Sequence, residues 1–61
     1  MSKRDMARQA KEKLKEAKEN VKEAKDIFKH INDPDGEKIA GDAYKKVDDA
    51  ENYVSKRLNG D

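Results

Sequence analysis

The sequence predicts an all-α fold: an antiparallel hairpin of two helices with alanine-rich coiled-coil packing, which we expect to dimerise into a four-helix bundle. Three observations lead to this prediction. Apolar residues recur with heptad spacing in both halves of the chain, and the segment Asn32–Gly36 interrupts the repeat near its middle. The chain of 61 residues also has few large apolar residues from which to build a core by itself.

The first helix is predicted over about residues 3–31, a stretch without proline or glycine. Its heptad a positions are Ala7, Leu14, Val21 and Phe28, and its d positions are Ala10, Ala17, Ala24 and Ile31. Such a seam of apolar residues has to be covered by a second helix.

The turn is predicted at residues 32–34. Asn32 can adopt the left-handed conformation that ends many helices, and the residue before a proline disfavours the α region. We expect Asp33 to act as the N-cap of the next helix, with Pro34 at its first position. Because so short a connection leaves no room for a crossover, the two helices should be antiparallel neighbours in one domain of residues 1–61.

The second helix is predicted over about residues 35–58, and its apolar face is wider than that of the first. Its seam consists of Ala40, Ala43, Val47, Ala50 and Val54. Ile39 and Tyr53 extend the face on one flank, and Tyr44 and Leu58 extend it on the other. One partner helix covers one stripe only, so these four residues are the predicted partner or dimer interface.

Size complementarity predicts a register for the hairpin. Pairing Phe28 with Ala43 and Val21 with Ala50 sets a large residue against a small one, as interdigitated side chains require. The same register brings Lys18 near Glu51, and it leaves Gly41 on the outer face.

The composition narrows the class of protein. Charged residues make up 48% of the chain and apolar residues 33%, the net charge is +1, and there is no cysteine and one histidine. Disulfides are therefore excluded, and neither a metal site nor a cofactor is expected. No apolar run exceeds two residues and no apolar region follows the first residues, so we expect no transmembrane segment, no signal peptide and a cytoplasmic location.

The leading functional interpretation is a small, non-enzymatic protein-interaction or self-association module, whether regulatory, structural or designed. The sequence contains no nucleophile–base pair, no glycine-rich phosphate loop and no cluster of metal ligands. The expected partner is a second copy of the chain, as a homodimer, or a helix of another protein.

A nucleic-acid-binding regulator, of RNA or DNA, is the alternative, because basic residues form a stripe along the first helix. The stripe consists of Arg4, Arg8, Lys11, Lys15, Lys18, Lys22, Lys25 and Lys29. A phosphate backbone could follow it, but an acidic ridge lies beside it and no aromatic residue of that face can stack on bases. The ridge consists of Asp5, Glu12, Glu16, Glu19, Glu23 and Asp26. A second alternative is a stress-type amphipathic protein that becomes helical on membranes.

In its length, its predicted hairpin and its alanines at a and d positions, the chain resembles the small RNA-binding copy-control proteins of plasmids. Those proteins form antiparallel dimers of helical hairpins. This resemblance concerns the fold alone and transfers no function. The consecutive heptads 14–20 and 21–27 are also similar to those of designed helical proteins.

Overall fold

The computed structural model describes residues 2–60 as two antiparallel helices, α1 (Lys3–His30) and α2 (Pro34–Gly60). They lie side by side as a flat rod whose Cα extents are 45 × 18 × 10 Å. The prediction of an all-α helical hairpin is confirmed. Met1 and Asp61, the first and last residues of the predicted domain, lie outside the described residues.

Helix α1 begins with a side-chain cap that the sequence analysis did not assign. Ser2 has an extended backbone, and its Oγ accepts a hydrogen bond of 3.1 Å from the backbone N–H of Asp5. Because the first N–H groups of a helix lack partners within it, this bond stabilises the helix start. The acidic side chain of Asp5 in the first turn and the basic side chains of Lys29 and His30 in the last turn also interact favourably with the helix dipole.

The end of α1 is a Schellman motif built on Asn32. This residue has a φ of 58°, in the left-handed region that the sequence analysis proposed for it. The N–H of Asn32 donates to the carbonyl of Lys29 at 3.2 Å, and the N–H of Asp33 donates to the carbonyl of Phe28 at 2.9 Å. Ile31, predicted to be helical, is the C-cap residue just beyond the helix.

Helix α2 starts one residue earlier than its predicted bound and continues two residues further. Asp33 Oδ1 accepts a hydrogen bond of 3.1 Å from the N–H of Gly36, which makes Asp33 the N-cap and Pro34 the first helical residue. The turn therefore comprises residues 31–33 rather than 32–34. The predicted stop at Asn59 is wrong: Gly60 does not take a positive φ, and the helix continues to it.

The register of the hairpin differs from the predicted one by a heptad. The Phe28 ring lies against Gly36, so that a Cβ added to Gly36 would come within 2.7 Å of Phe28 Cε1 and 2.8 Å of Phe28 Cγ. Phe28 therefore does not face Ala43, its predicted partner. Phe28 and Gly36 are equidistant in sequence from Asn32, and the short turn around Asn32 forces them together. Because a slip of one heptad still sets a and d residues of the two helices against each other, and displaces only Ile31 beyond the end of α1, the pattern alone could not detect it.

From this register we infer that Ala24 faces Ala40 and that Val21 faces Ala43. Ala40, with 7% of its surface exposed, is the buried residue among those that the structure describes, and most other seam residues are half-buried. Gly41, predicted on the outer face, is half-buried beside the seam, where the position of its missing Cβ lies 3.9 Å from Lys25 Cε. The helices approach closely, but they enclose hardly any core.

Two glycine substitutions should change stability in opposite directions. Gly36→Ala should lower the free energy of unfolding by about 1–2 kcal/mol, because the added methyl group overlaps the Phe28 ring. Gly41→Ala is the matched control and should raise it by about 0.5–1 kcal/mol, because its methyl group meets open space and ordinary contacts in a helix. Urea unfolding followed by circular dichroism measures both. A Gly36→Ala variant as stable as the parent would contradict the register.

Cysteine pairs test the register independently. A Val21→Cys, Ala43→Cys variant should form an intramolecular disulfide under mild oxidation, because facing seam positions are close enough for one. A Val21→Cys, Ala50→Cys variant should not, since Ala50 lies about 10 Å further along the helix. Non-reducing gel mobility and free-thiol titration report the two outcomes, and preferential crosslinking of the second pair would restore the originally predicted register.

Candidate functional site

The four residues of the predicted interface lie on two different flanks of the hairpin. Ile39 and Tyr53 occupy heptad g positions and are 69% and 62% exposed. Tyr44 and Leu58 occupy e positions and are half-buried. The structure therefore does not gather the four into one surface, and of the four only Ile39 and Tyr53 are mostly exposed.

Tyr44 and Leu58 take part in contacts between the helices. The Lys18 ammonium lies 5.4 Å from the centroid of the Tyr44 ring, within the range of a cation–π interaction. The carbonyl of Leu58 accepts a hydrogen bond from the Arg4 guanidinium. Cations of α1 thus hold this flank of α2 within one chain.

Ile39 and Tyr53 belong to a larger set of exposed apolar residues, which we call the apolar flank. Its members, each between 59% and 69% exposed, are Met6, Ile27, Ile31, Ile39 and Tyr53. Ile31 was predicted in the seam, but the one-heptad shift and the shorter α1 leave it outside. The other four all occupy g positions, so the heptad assignment itself contained the signal that identifies this flank.

The basic stripe consists of two rows that the structure treats differently. The inner row, at e positions, borders α2 directly, and the outer row, at b positions, lies one step further round α1. The inner row is Arg4, Lys11, Lys18 and Lys25, and the outer row is Arg8, Lys15, Lys22 and Lys29. Arg4 and Lys18 bond to α2, Lys11 is half-buried, and Arg8 lies 3.9 Å from Asp5. The stripe is therefore not a continuous row of free cations.

Lys18 is the centre of a polar network between the helices. Its Nζ lies 2.8 Å from Asp48 Oδ1 and 3.5 Å from Glu51 Oε1, so the predicted proximity of Lys18 and Glu51 is confirmed. The hydrogen bond to Asp48 is the main reason that the pKa of Lys18 is raised above 10.5. Glu51 Oε2 is buried and has no hydrogen-bond partner. Removing Lys18 would leave the Glu51 carboxylate partly buried without an opposite charge. The network therefore favours the arrangement of the two helices in which Lys18 and Glu51 are paired.

Beyond Lys18, towards the turn, the two helices border an open groove of about 590 Å³, which we call the basic groove. Its walls carry four lysines and two acids around the Tyr44 ring and the backbone at Gly41. The lining residues are Lys22, Lys25, Pro34, Glu37, Lys38, Gly41, Asp42, Tyr44 and Lys45. Lys38 and Lys45 were not among the predicted site residues because they lie on α2, outside the stripe.

Two further properties of residues 2–60 concern metal binding and membrane insertion. Within that range, no group of three or more histidine, aspartate or glutamate side chains is placed to hold a metal ion. Neither described helix contains a stretch long and apolar enough to cross a membrane.

Comparison of the chain with protein-family models, with curated proteins and with solved structures finds no match.

Asp48→Asn should lower the pKa of Lys18, because it weakens the hydrogen bond that chiefly raises this pKa. Asp49→Asn, which removes a neighbouring exposed carboxylate, should change it much less. A raised lysine pKa stabilises the fold below its unfolded value of 10.5, and this contribution disappears as pH rises through the folded value. Stability should therefore fall more steeply above pH 10.5 in the parent than in Asp48→Asn.

NMR titration of the Lys18 side chain, together with urea unfolding at several pH values, measures both effects. Equal Lys18 pKa values in the parent and in the Asp48→Asn variant would contradict the network.

Proposed function

We propose that this chain is a non-enzymatic self-association module, in which the apolar flanks of two hairpins pack together to form a four-helix bundle. The observation that supports it most is the accessible surface of 5040 Å² for a chain of 7.0 kDa. Surface–mass scaling gives about 4000 Å² for a compact monomer of this mass. The excess, about 1000 Å², is similar to the roughly 800 Å² that each partner buries in a typical stable interface.

The chemistry of the exposed surface supports the same proposal. Ile27, Ile31 and Ile39 lie on the apolar flank near the turn, and each has more than half of its surface in water. Fully burying a side chain of this size contributes about 1.5–3 kcal/mol. Since the hairpin seam is made largely of alanines, these residues are the main apolar surface still available for stabilisation.

Charge supports a second copy of this chain as the partner. Residues 1–31 carry ten basic and six acidic side chains, a net charge of +4, and residues 32–61 carry five and eight, a net charge of −3. A two-fold arrangement that sets α1 of one copy beside α2 of the other brings opposite charges together twice. Exposed ion pairs contribute little stability, so the charges act mainly on orientation.

An aspartate on the apolar flank should weaken association. Ile39→Asp should raise the dimer dissociation constant at least about tenfold, because it buries an unpaired charge in the interface. Asn52→Asp is the matched control: it introduces the same side chain at an exposed f position of α2 and should leave association unchanged. Sedimentation equilibrium measures the dimer dissociation constants of the parent, Ile39→Asp and Asn52→Asp.

The proposal predicts that the parent sediments with twice its chain mass of 7.0 kDa at high concentration. A parent that stays at the mass of one chain over a hundredfold concentration range that begins at about 1 μM, with a constant melting temperature, would contradict it.

A further inference from the structure

The basic groove carries more positive charge than the acidic residues of its own lining neutralise. Lys22 and Lys25 of α1 and Lys38 and Lys45 of α2 line it, against Glu37 and Asp42. Among the ion pairs of residues 2–60, none involves one of these four lysines, whereas Lys18 contacts two carboxylates. The groove therefore differs from the rest of the basic stripe, where Arg4 and Lys18 of the inner row bond to α2.

Gly41 opens one side of this groove at a position where the hairpin does not require a glycine. A Cβ at Gly41 would meet nothing closer than Lys25 Cε and Nζ, both at 3.9 Å, and its φ is not positive. Gly36, by contrast, is required by the Phe28 ring. A glycine inside a helix is less favourable than alanine, so the open space at Gly41 lowers the stability of α2, and it lets a ligand approach the α2 backbone.

We propose that the basic groove binds single-stranded nucleic acid, with the four lysines on backbone phosphates and Tyr44 as a stacking surface for a base. Lysine is a point-charge phosphate ligand, and stacking on an aromatic side chain tolerates any base. The structure removes one objection that the sequence raised. The first helix has no aromatic residue on its basic face, but α2 supplies Tyr44 to the same groove as Lys22 and Lys25.

The second objection to nucleic-acid binding was that the acidic ridge of α1 would repel phosphate, and this objection is weaker at the basic groove. None of the ridge residues lines the basic groove, although Glu16 and Glu19 border the neighbouring depression on the other side of Tyr44. Glu37 and Asp42 are the acids that line the groove, and four lysines outnumber them.

The arrangement favours nucleic acid over a lipid surface. Membrane-surface helices carry lysines beside an apolar face, so that both meet the bilayer together. Here the lysines of the groove border the e flank, and Ile27, Ile39 and Tyr53 occupy the opposite, g flank. A bilayer could not engage both sets at once, whereas a strand in the groove leaves the apolar flank free for a second hairpin.

Fluorescence anisotropy with a short labelled oligouridylate tests the proposal at KCl concentrations of about 50 and 200 mM. The Lys38→Gln, Lys45→Gln variant should bind at least about tenfold more weakly at the lower salt concentration. Its slope of log K against log salt should be smaller by about 1.4, since each phosphate contact with a single strand contributes about 0.7. Lys46→Gln, Lys56→Gln has the same net charge on the same helix, outside the groove, and should keep the parent slope.

Gly41→Leu tests the shape of the groove without changing its charge. Leucine favours the helix but fills the space at Gly41, so binding should weaken at least about tenfold while circular dichroism shows an intact hairpin. Unchanged affinity in this variant would overturn the assignment to the groove.

Three other results would also overturn the proposal: no salt-dependent binding by the parent, equal losses in the two lysine pairs, or binding to phosphatidylserine vesicles without binding to the oligonucleotide. Sedimentation equilibrium on the same variants measures their dimerisation independently, so that a loss of oligonucleotide binding can be distinguished from a loss of self-association. Groove variants that still dimerise but no longer bind the oligonucleotide would support both proposals, and a monomeric parent that binds it would overturn only the dimer.

Discussion

The contact between the Phe28 ring and Gly36 determines how the rest of the hairpin is arranged. Asn32 turns the chain within three residues, and the ring of Phe28, the last large seam residue of α1, is then accommodated where α2 has no side chain. Because helices are nearly rigid over this length, one contact at the turn sets the register of every later pair. That register places Ile31 outside the seam and brings Lys25 beside Gly41.

The two flanks of the hairpin have different chemistry as a consequence. On the e flank, long cationic side chains of α1 reach across to α2, and Lys18 joins Asp48, Glu51 and the Tyr44 ring. On the g flank, isoleucines and Tyr53 remain exposed, and Lys13 on this flank pairs with Glu16 of its own helix instead of reaching α2. One flank is thus closed within the chain except at the basic groove, and the apolar residues of the other flank are exposed. Self-association and binding of a polyanion would use separate surfaces.

Much of the fold could be predicted from local rules, and much of the site could not. Heptad spacing predicted both helices, and the chemistry of Asn32, Asp33 and Pro34 predicted the turn, since each of these effects acts within a few residues. The register depends on how closely a ring can approach a backbone, which spacing does not encode. The basic groove combines Lys22 and Lys25 with Lys38 and Lys45, and no single helix shows that combination as a pattern.

Solution NMR of the parent protein tests the register most directly. The account predicts nuclear Overhauser effects between the Phe28 ring protons and the Gly36 α protons, with the α protons shifted by the ring current. Ala43 lies about 10 Å further along α2, beyond the reach of such an effect from the same ring. Effects from Phe28 to the Ala43 methyl group, in the absence of any to Gly36, would contradict the account.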